Sequence, residues 1–234
     1  MTGVELIAAA RAQSRAALDE LAGKQLLAGF GVKVPRSVIV SNAGAAATAV
    51  AGLTPPLAVK VMSPDILHKS DAGGVKIGLQ SAHEVGQAIN AMAILPAIKA
   101  ARIDGYLIEE MAPAGQEIVV GSVRDPDFGP LIMVGLGGIF VEVLADVAFR
   151  ICPITRLDAE EMLAELKGAA LLKGARGRKP VSRDAIVDVL LKIGGDDGLL
   201  MRHADDFAEA DINPLIVSET GAVAVDARFI LACS

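Results

Sequence analysis

Tryptophan is absent from this chain of 234 residues, tyrosine occurs once, and aromatic side chains make up only 3 % of it. A core without large rings must be filled by Ala, Val, Ile and Leu; an apolar fraction of 53 % and 24 glycines that let backbones approach supply the material. Cysteine is scarce as well. Cys152 and Cys233 are too few for a disulfide framework or a zinc site, which points to a reduced, cytoplasmic protein. Positive charge is not in excess. The net charge of -6 argues against nucleic acid as a partner, so an anion has to be held by a local cluster. No apolar run reaches an uninterrupted membrane-spanning length: FGPLIMVGLGGIFVEVLADVAF is dense in glycine and broken by Glu142 and Asp146. The opening residues, with Glu5, Arg11 and Arg15 among the apolar ones, suit an amphipathic helix better than a signal peptide. The motif GxxxxGK[ST] is missing, which excludes a P-loop NTPase.

What is present reads as α/β (α+β) material, sufficient for one or two domains. A helix is expected from about Val4 to Ala28, and a second, Ala-rich one near Ala43 to Ala51. Strands are expected at SVIV (37–40), LAVKVM (57–62) and GVKIGL (74–79). Ser81 and Glu84 form a Ser-x-x-Glu capping box opening a helix to about Ala101. GYLIEEM, EIVVGSVRD, PLIMVGLGG and AFRICP follow as strands, then helices near 158–167 and 183–193. The chain closes with a hairpin turning at Glu219-Thr220-Gly221. A division into two lobes is expected, residues 1–108 forming a smaller one and 109–234 a larger one, with a cleft where they meet.

Chemistry concentrates in a few places, each with an ordinary alternative. Lys60 stands in an apolar strand, and a buried ammonium needs an anion or an open cleft; a strand-edge lysine reaching water is the other reading. The loop ILHKSDAGG places His68 beside Lys69, with Gly73 and Gly74 following. A neutral imidazole can attack phosphorus while nearby cations neutralise its oxygens, or His68 is simply a solvated loop residue. His83 and His203 are expected at the surface. Glu109 and Glu117 lie on two strands across the bend APAG, an order that can present backbone groups to a purine and a carboxylate to a ribose, or just two charged edge strands. Asp211, Asn213 and Asp226 sit on the arms of the last hairpin. Such hard oxygen donors suit magnesium held jointly with phosphates, and Asx turn chemistry is the alternative. Glu142, after a Gly-rich turn, and Arg176 and Arg178 in GARGRKP are weaker candidates.

In this order and combination, KQLLAGFGVKVPRS, LAVKVMSPDILHKSDAGGVKIGL, EEMAPAGQEIVVGSVRDPDFGPLIMVGLGGIFVEVLADVAFRICP, GARGRKP and DINPLIV resemble the ATP-grasp subunit of ADP-forming acyl-CoA synthetases of the acetate–CoA ligase type. That subunit is related to the β subunit of succinyl-CoA synthetase, which has a different loop where ILHKSDAGG stands. The resemblance implies an ATP-grasp fold of two lobes with the nucleotide in the cleft between them. It further implies that Lys60 binds nucleotide phosphates, that Glu109, Met111 and Ala112 form the hinge around adenine, and that Glu117 holds the ribose. Asn213 and Asp226 would ligate Mg2+, His68 would receive the phosphoryl group to or from ATP/ADP, and Asp211 would steady its imidazole.

The implied enzyme is an acid–thiol ligase catalysing acid + CoA + ATP ⇌ acyl-CoA + ADP + Pi. The chain lacks the length, and a Rossmann-type glycine fingerprint, for the CoA-binding portion of single-chain members. The expected partner is therefore a CoA-binding α-type subunit carrying a second phosphohistidine and the small carboxylic acid or acyl-CoA. Met1 and the natural-looking first helix favour a subunit of a hetero-oligomer over an excised piece, with neither nucleic acid nor membrane as a partner. The rival readings are a non-catalytic nucleotide-sensing module of a protein acetyltransferase-type regulator and an ATP-grasp ligase making amide bonds.

Overall fold

The computed structural model describes residues 1–66, 68–138, 145–174 and 179–232. Its strands are β1 (Ala17–Leu18), β2 (Ser37–Val40), β3 (Leu57–Met62), β4 (Val75–Leu79), β5 (Gly105–Glu110), β6 (Gln116–Asp125), β7 (Gly129–Leu136), β8 (Val147–Ile151), β9 (Phe207–Val217), β10 (Ala222–Ala224) and β11 (Arg228–Leu231). The helices are α1 (Gly3–Ala12), α2 (Glu20–Gly29), α3 (Ala46–Ala49), α4 (Ala82–Ala93), α5 (Pro96–Ala100), α6 (Arg156–Glu165), α7 (Arg183–Gly194) and α8 (Leu199–Arg202). None of the described helices is long and apolar enough to cross a membrane. Two compact units result: Pro35–Ala112, and Met1–Val34 together with Pro113–Ser234.

Residues Pro35–Ala112 build an antiparallel sheet in the order β2-β5-β3-β4. β3 is an inner strand, and all six of its positions are buried, which is why LAVKVM is apolar on both faces. Val85, Ile89 and Met92 of α4 recur at helical spacing and pack with Val59, Val61 and Ile108. The Ser81 hydroxyl accepts the Glu84 N–H (3.2 Å), but the Glu84 carboxylate accepts the N–H of Gln80 (3.0 Å), so the expected capping box is half formed. The helix also stops short of Ala101. α4 ends at Ala93 and Pro96 opens α5, because proline is accommodated in a first turn but not in a helix interior.

The other unit is a seven-stranded antiparallel sheet ordered β1-β11-β9-β6-β7-β8, with β10 also on β9. One face carries Ile118, Val120, Ile132, Val134, Ile212 and Leu215, which join Leu6, Leu26, Met162, Leu163, Leu190 and Ile193 from the helices in one core. The single helix expected at the N-terminus is two, α1 and α2. Ser14 at φ 53° breaks the run, β1 pairs with β11 (Ala17↔Ile230), and Asp19 caps α2 by accepting the Ala22 N–H at 2.9 Å. The expected grouping of residues 1–108 differs from this arrangement. Residues 1–34 belong with the large sheet, because Leu6, Ile7, Ala10, Leu26 and Leu27 are buried in its core. A pattern of apolar residues identifies a helix's sticky face, not the sheet that will cover it.

Candidate functional site

In the smaller unit, Lys60 is buried at 6 % exposure and Glu109 at 1 %, and Lys60 Nζ lies 2.7 Å from Glu109 Oε1. The ammonium thus has the anion its strand demands, supplied from β5, where Ala58 opposes Glu109 and Lys60 opposes Leu107. Glu109 is consequently enclosed rather than lying on a rim. Its neighbour Glu110 ends the strand and accepts the Thr54 N–H (2.8 Å) and Arg36 Nη1 (3.3 Å). Beyond it, the Met111 N–H donates to the Pro56 carbonyl (3.0 Å) while the Met111 sulfur accepts the Gly78 N–H (3.2 Å). This ties the start of the bend, with Ala112 next, to the residue preceding β3 and to β4.

The segment between β3 and β4 is a series of tight turns. Ala72 N–H donates to the His68 carbonyl (3.2 Å), Gly73 N–H to Ser70 (3.0 Å) and Gly74 N–H to Lys69 (2.7 Å). Gly73 has φ 71°, and a Cβ at Gly74 would collide with the Val61 side chain, so both glycines are required by the backbone. The result holds His68 at the surface on a defined turn, and Asp65 anchors the segment by accepting the Arg102 N–H at 2.7 Å.

In the larger unit, Asp211 and Asn213 alternate with the buried Ala210 and Ile212 along β9, so both face away from the helices. Opposite Ile118 and Val120 of β6 stand Leu215 and Ile212: β9 carries an extra residue here, a bulge that accommodates Pro214 in an inner strand. The Asx-turn alternative fails on this point, for Asn213 lies within an eleven-residue strand. Asp226 lies between β10 and β11. Ala224 opposes Leu215 and Arg228 opposes Asp211, which sets Asp226 opposite Asn213, and the Val225 N–H on the Pro214 carbonyl (3.0 Å) keeps the segment alongside β9. Asp226 Oδ1 accepts the Ala227 N–H at 2.8 Å. The Asp211 carboxyl is pushed above the ordinary carboxylate range, first by desolvation and then by the Asp226 charge, with Arg228 opposing. The residue is exposed and lines a groove together with Gly121 and Met133. Two oxygen donors facing each other across strands fit a magnesium ion that takes its remaining ligands from water and phosphates.

Glu117, the second residue of β6, lines a cavity of about 760 Å³ together with Gly137, Gly138, Lys179 and Thr220. The Gly137 N–H donates to the Glu117 carbonyl (2.8 Å), and a Cβ on Gly137 would lie 2.7 Å from the Glu117 Cβ. Arg176, Arg178, Glu142 and Cys233 lie outside the described residues. His203, expected at the surface, is buried instead: its Nδ1 is 3.0 Å from Asp206 Oδ2 and its ring meets Phe30 and Phe207, so it is a core residue. His83 is exposed, as expected. Asp146, which breaks the apolar run, is buried because its carboxylate accepts the N–H groups of Lys167 (2.7 Å) and Gly168 (2.8 Å). Sequence reasoning passed over Arg228, although its spacing of two from Asp226 in VDARF was the available signal.

Comparison with known proteins places these features in a lineage. The family model described as an ATP-grasp domain matches residues 9–231. The chain is 43 % identical over 232 residues to the β subunit of ADP-forming acetate–CoA ligase I of Pyrococcus furiosus, covering 97 % of each. It is 41 % identical to ADP-forming acetate–CoA ligase I of Archaeoglobus fulgidus, where 89 % of this chain matches 30 % of a longer one. Among solved structures, acetyl-coenzyme A synthetase 1 of Ca. Korarchaeum cryptofilum with coenzyme A and Ca-AMPCP superimposes with a TM-score of 0.91 at 38 % identity, covering 97 % of this chain and 99 % of that one. The same protein with coenzyme A and Mg-AMPPCP, its phosphohistidine segment pointing towards the nucleotide site, gives 0.84 at 36 % identity, covering 98 % and 100 %. The chain belongs to the ATP-grasp family, among the β subunits of ADP-forming acetate–CoA ligases.

Proposed function

We propose that this chain is the nucleotide-binding subunit of an ADP-forming acyl-CoA synthetase, passing a phosphoryl group between ATP or ADP and a histidine relay. The net reaction is acid + CoA + ATP ⇌ acyl-CoA + ADP + Pi. The observation that carries the reading is its match, end to end at 43 % identity, to a β subunit of such an enzyme. The matched relative is named a β subunit, and longer relatives contain the same region as part of one chain, which supports a separate α-type partner; we assign to that partner the CoA site, a second phosphohistidine and the acyl group. We place the work in the cytoplasm, in keeping with the buried, unbridged Cys152.

Lys60, held straight by Glu109, neutralises phosphate oxygens of the nucleotide. Met111 and Ala112 receive the adenine at the bend, and Glu117 takes the ribose hydroxyls. Asn213 and Asp226 hold magnesium, whose charge, when bound, offsets that of the phosphates. His68 attacks phosphorus through a neutral ring nitrogen and later returns the phosphoryl group; Asp211 accepts the other ring N–H and fixes the imidazole. The test is His68→Asn in the reconstituted complex. Nucleotide-dependent turnover is abolished while Mg-ATP affinity stays at the wild-type value; full turnover by this variant would remove the relay role.

A further inference from the structure

We infer that Asp65 is a positioning residue for phosphoryl transfer: its carboxylate latches the entry half of the segment between β3 and β4 and so sets the direction of the His68 imidazole. This rests on the relay reading above and adds a residue that touches neither nucleotide nor phosphorus. The two halves of the segment are held in different ways. The exit half is closed on itself by turn bonds within residues 68–74, and the Gly74 carbonyl fixes it to β3 by accepting the Val61 N–H at 2.8 Å. It is also pressed against the helical layer, for a Cβ on Gly73 would come within 2.7 Å of Leu95 Cδ1. Moving that half would break several bonds together.

The entry half, residues 63–66, is tethered far more sparingly. Among the described residues, its hydrogen bond to another part of the chain is the Arg102 N–H donated to Asp65 Oδ2 at 2.7 Å; the Asp65 N–H turns back onto Ser63 Oγ (3.1 Å). The stretch that Asp65 grips is itself firm. The Asp104 N–H donates to the Met62 carbonyl (2.8 Å), Arg102 Nε lies 3.5 Å from Asp104 Oδ1, and Ile103 packs on the core beneath α4. Residues 102–104 thus form a ledge beside the end of β3, and Asp65 is hooked onto it. Ile66, half-buried against the same core, continues the hold, and His68 follows two residues later. The His68 imidazole makes no hydrogen bond among the described residues, so the backbone beneath it decides where its nitrogens point. Attack on phosphorus needs nucleophile, phosphorus and leaving oxygen in line, and a displacement of about 1 Å costs on the order of 10²-fold in rate. An ionised acceptor on a backbone N–H gives a short, strong bond suited to holding an exposed segment in one geometry. Asp65 is exposed and lends the core no apolar surface, so this bond is its contribution.

The experiment compares Asp65→Ala and Asp65→Asn, in the chain alone and in the complex with its partner. In the chain alone, amide exchange at Arg102 quickens by about tenfold in Asp65→Ala and stays slow in Asp65→Asn, whose side-chain oxygen still accepts the N–H. In the complex, Asp65→Ala lowers kcat by about 10- to 100-fold with KM for Mg-ATP unchanged, and Asp65→Asn returns to within about threefold of the wild type. An amide cannot take a proton from imidazole, so that recovery separates a latch from a general base. Both variants keep the wild-type denaturant midpoint. Unchanged Arg102 exchange or wild-type kcat in Asp65→Ala overturns the latch, as does an Asp65→Asn enzyme as slow as Asp65→Ala or a fall in kcat matched by a fall in folded fraction. His68→Asn keeps the two roles apart. Full turnover in that variant removes the relay and the latch with it, whereas its inactivity beside an undiminished Asp65→Ala enzyme removes the latch alone.

Discussion

Two lysine–glutamate pairs, chemically alike and almost equally enclosed, occupy different regions of this molecule. Lys24 Nζ lies 2.6 Å from Glu20 Oε1 within α2, and Lys60 Nζ lies 2.7 Å from Glu109 Oε1 across β3 and β5. The first pair is local, one helical turn apart, and it is buried where α2 docks on the large sheet; Gly23 beside it packs against the Ala227 carbonyl and the Phe229 ring. The second joins strands far apart in sequence, at the base of the turns that present His68. Burial and ion pairing are therefore not marks of function in themselves. What separates the pairs is their surroundings: a helix–sheet junction around one, and an exposed imidazole and a glycine-dependent turn near the other.

That contrast can be broken directly. Lys60→Met should abolish Mg-ATP binding and lower turnover by at least about 10²-fold, the scale on which a fixed cation at a phosphoryl site acts. Lys24→Met removes the ammonium beside the buried Glu20 carboxylate and should cost about 3–5 kcal/mol of stability, read by denaturant unfolding, while the folded fraction binds Mg-ATP normally. Nucleotide binding lost in the Lys24 variant at conditions where it is fully folded would erase the distinction. A sharper version replaces the whole first pair. Glu20→Leu with Lys24→Met should recover most of the stability, because an apolar pair of similar volume spares the desolvation of two charges; the matching double change at Lys60 and Glu109 recovers stability but no activity.

The smallest effect concerns charge on β9. Because the Asp211 carboxyl sits above its unfolded-state range, its ionisation works against folding as pH rises through that interval and contributes nothing below it. Asp226→Asn removes one cause and should lower the Asp211 pKa, whereas Arg228→Gln should raise it further. Carboxyl-carbon NMR titration reads both directions, and movement of either the other way would refute the electrostatic picture.

Much of this was legible beforehand, for identifiable reasons. Lys60 stood out since LAVKVM is apolar on both sides of it, a run that suits a strand buried on both faces and leaves an ammonium in need of an anion. Lys24 did not, because ELAGKQLLAG reads equally well as an amphipathic helix with its lysine in water; only docking against the sheet decides which face is wet. The strands β5 to β8 announced themselves through β-branched runs and glycine turns. The break between α1 and α2 was hidden because its cause, pairing with β11, lies more than two hundred residues downstream. Asn213 and Asp226 could be proposed from oxygen chemistry, but their alignment depends on a bulge at Pro214 that pairing with β6 reveals. Arg228 is the instructive omission: its spacing of two from Asp226 was readable, but only the strand register sets it opposite Asp211.

If His68 carries a phosphoryl group that Lys60 helps to deliver, that group is detectable on the imidazole. Incubation of the chain and its partner with Mg-ATP labelled in the γ-phosphate, followed by mapping of acid-labile phosphate, tests it most directly. Label is expected on His68 in the wild type and in folded Lys24→Met protein, and none in Lys60→Met. Turnover proceeding with no phosphate on His68 would contradict it.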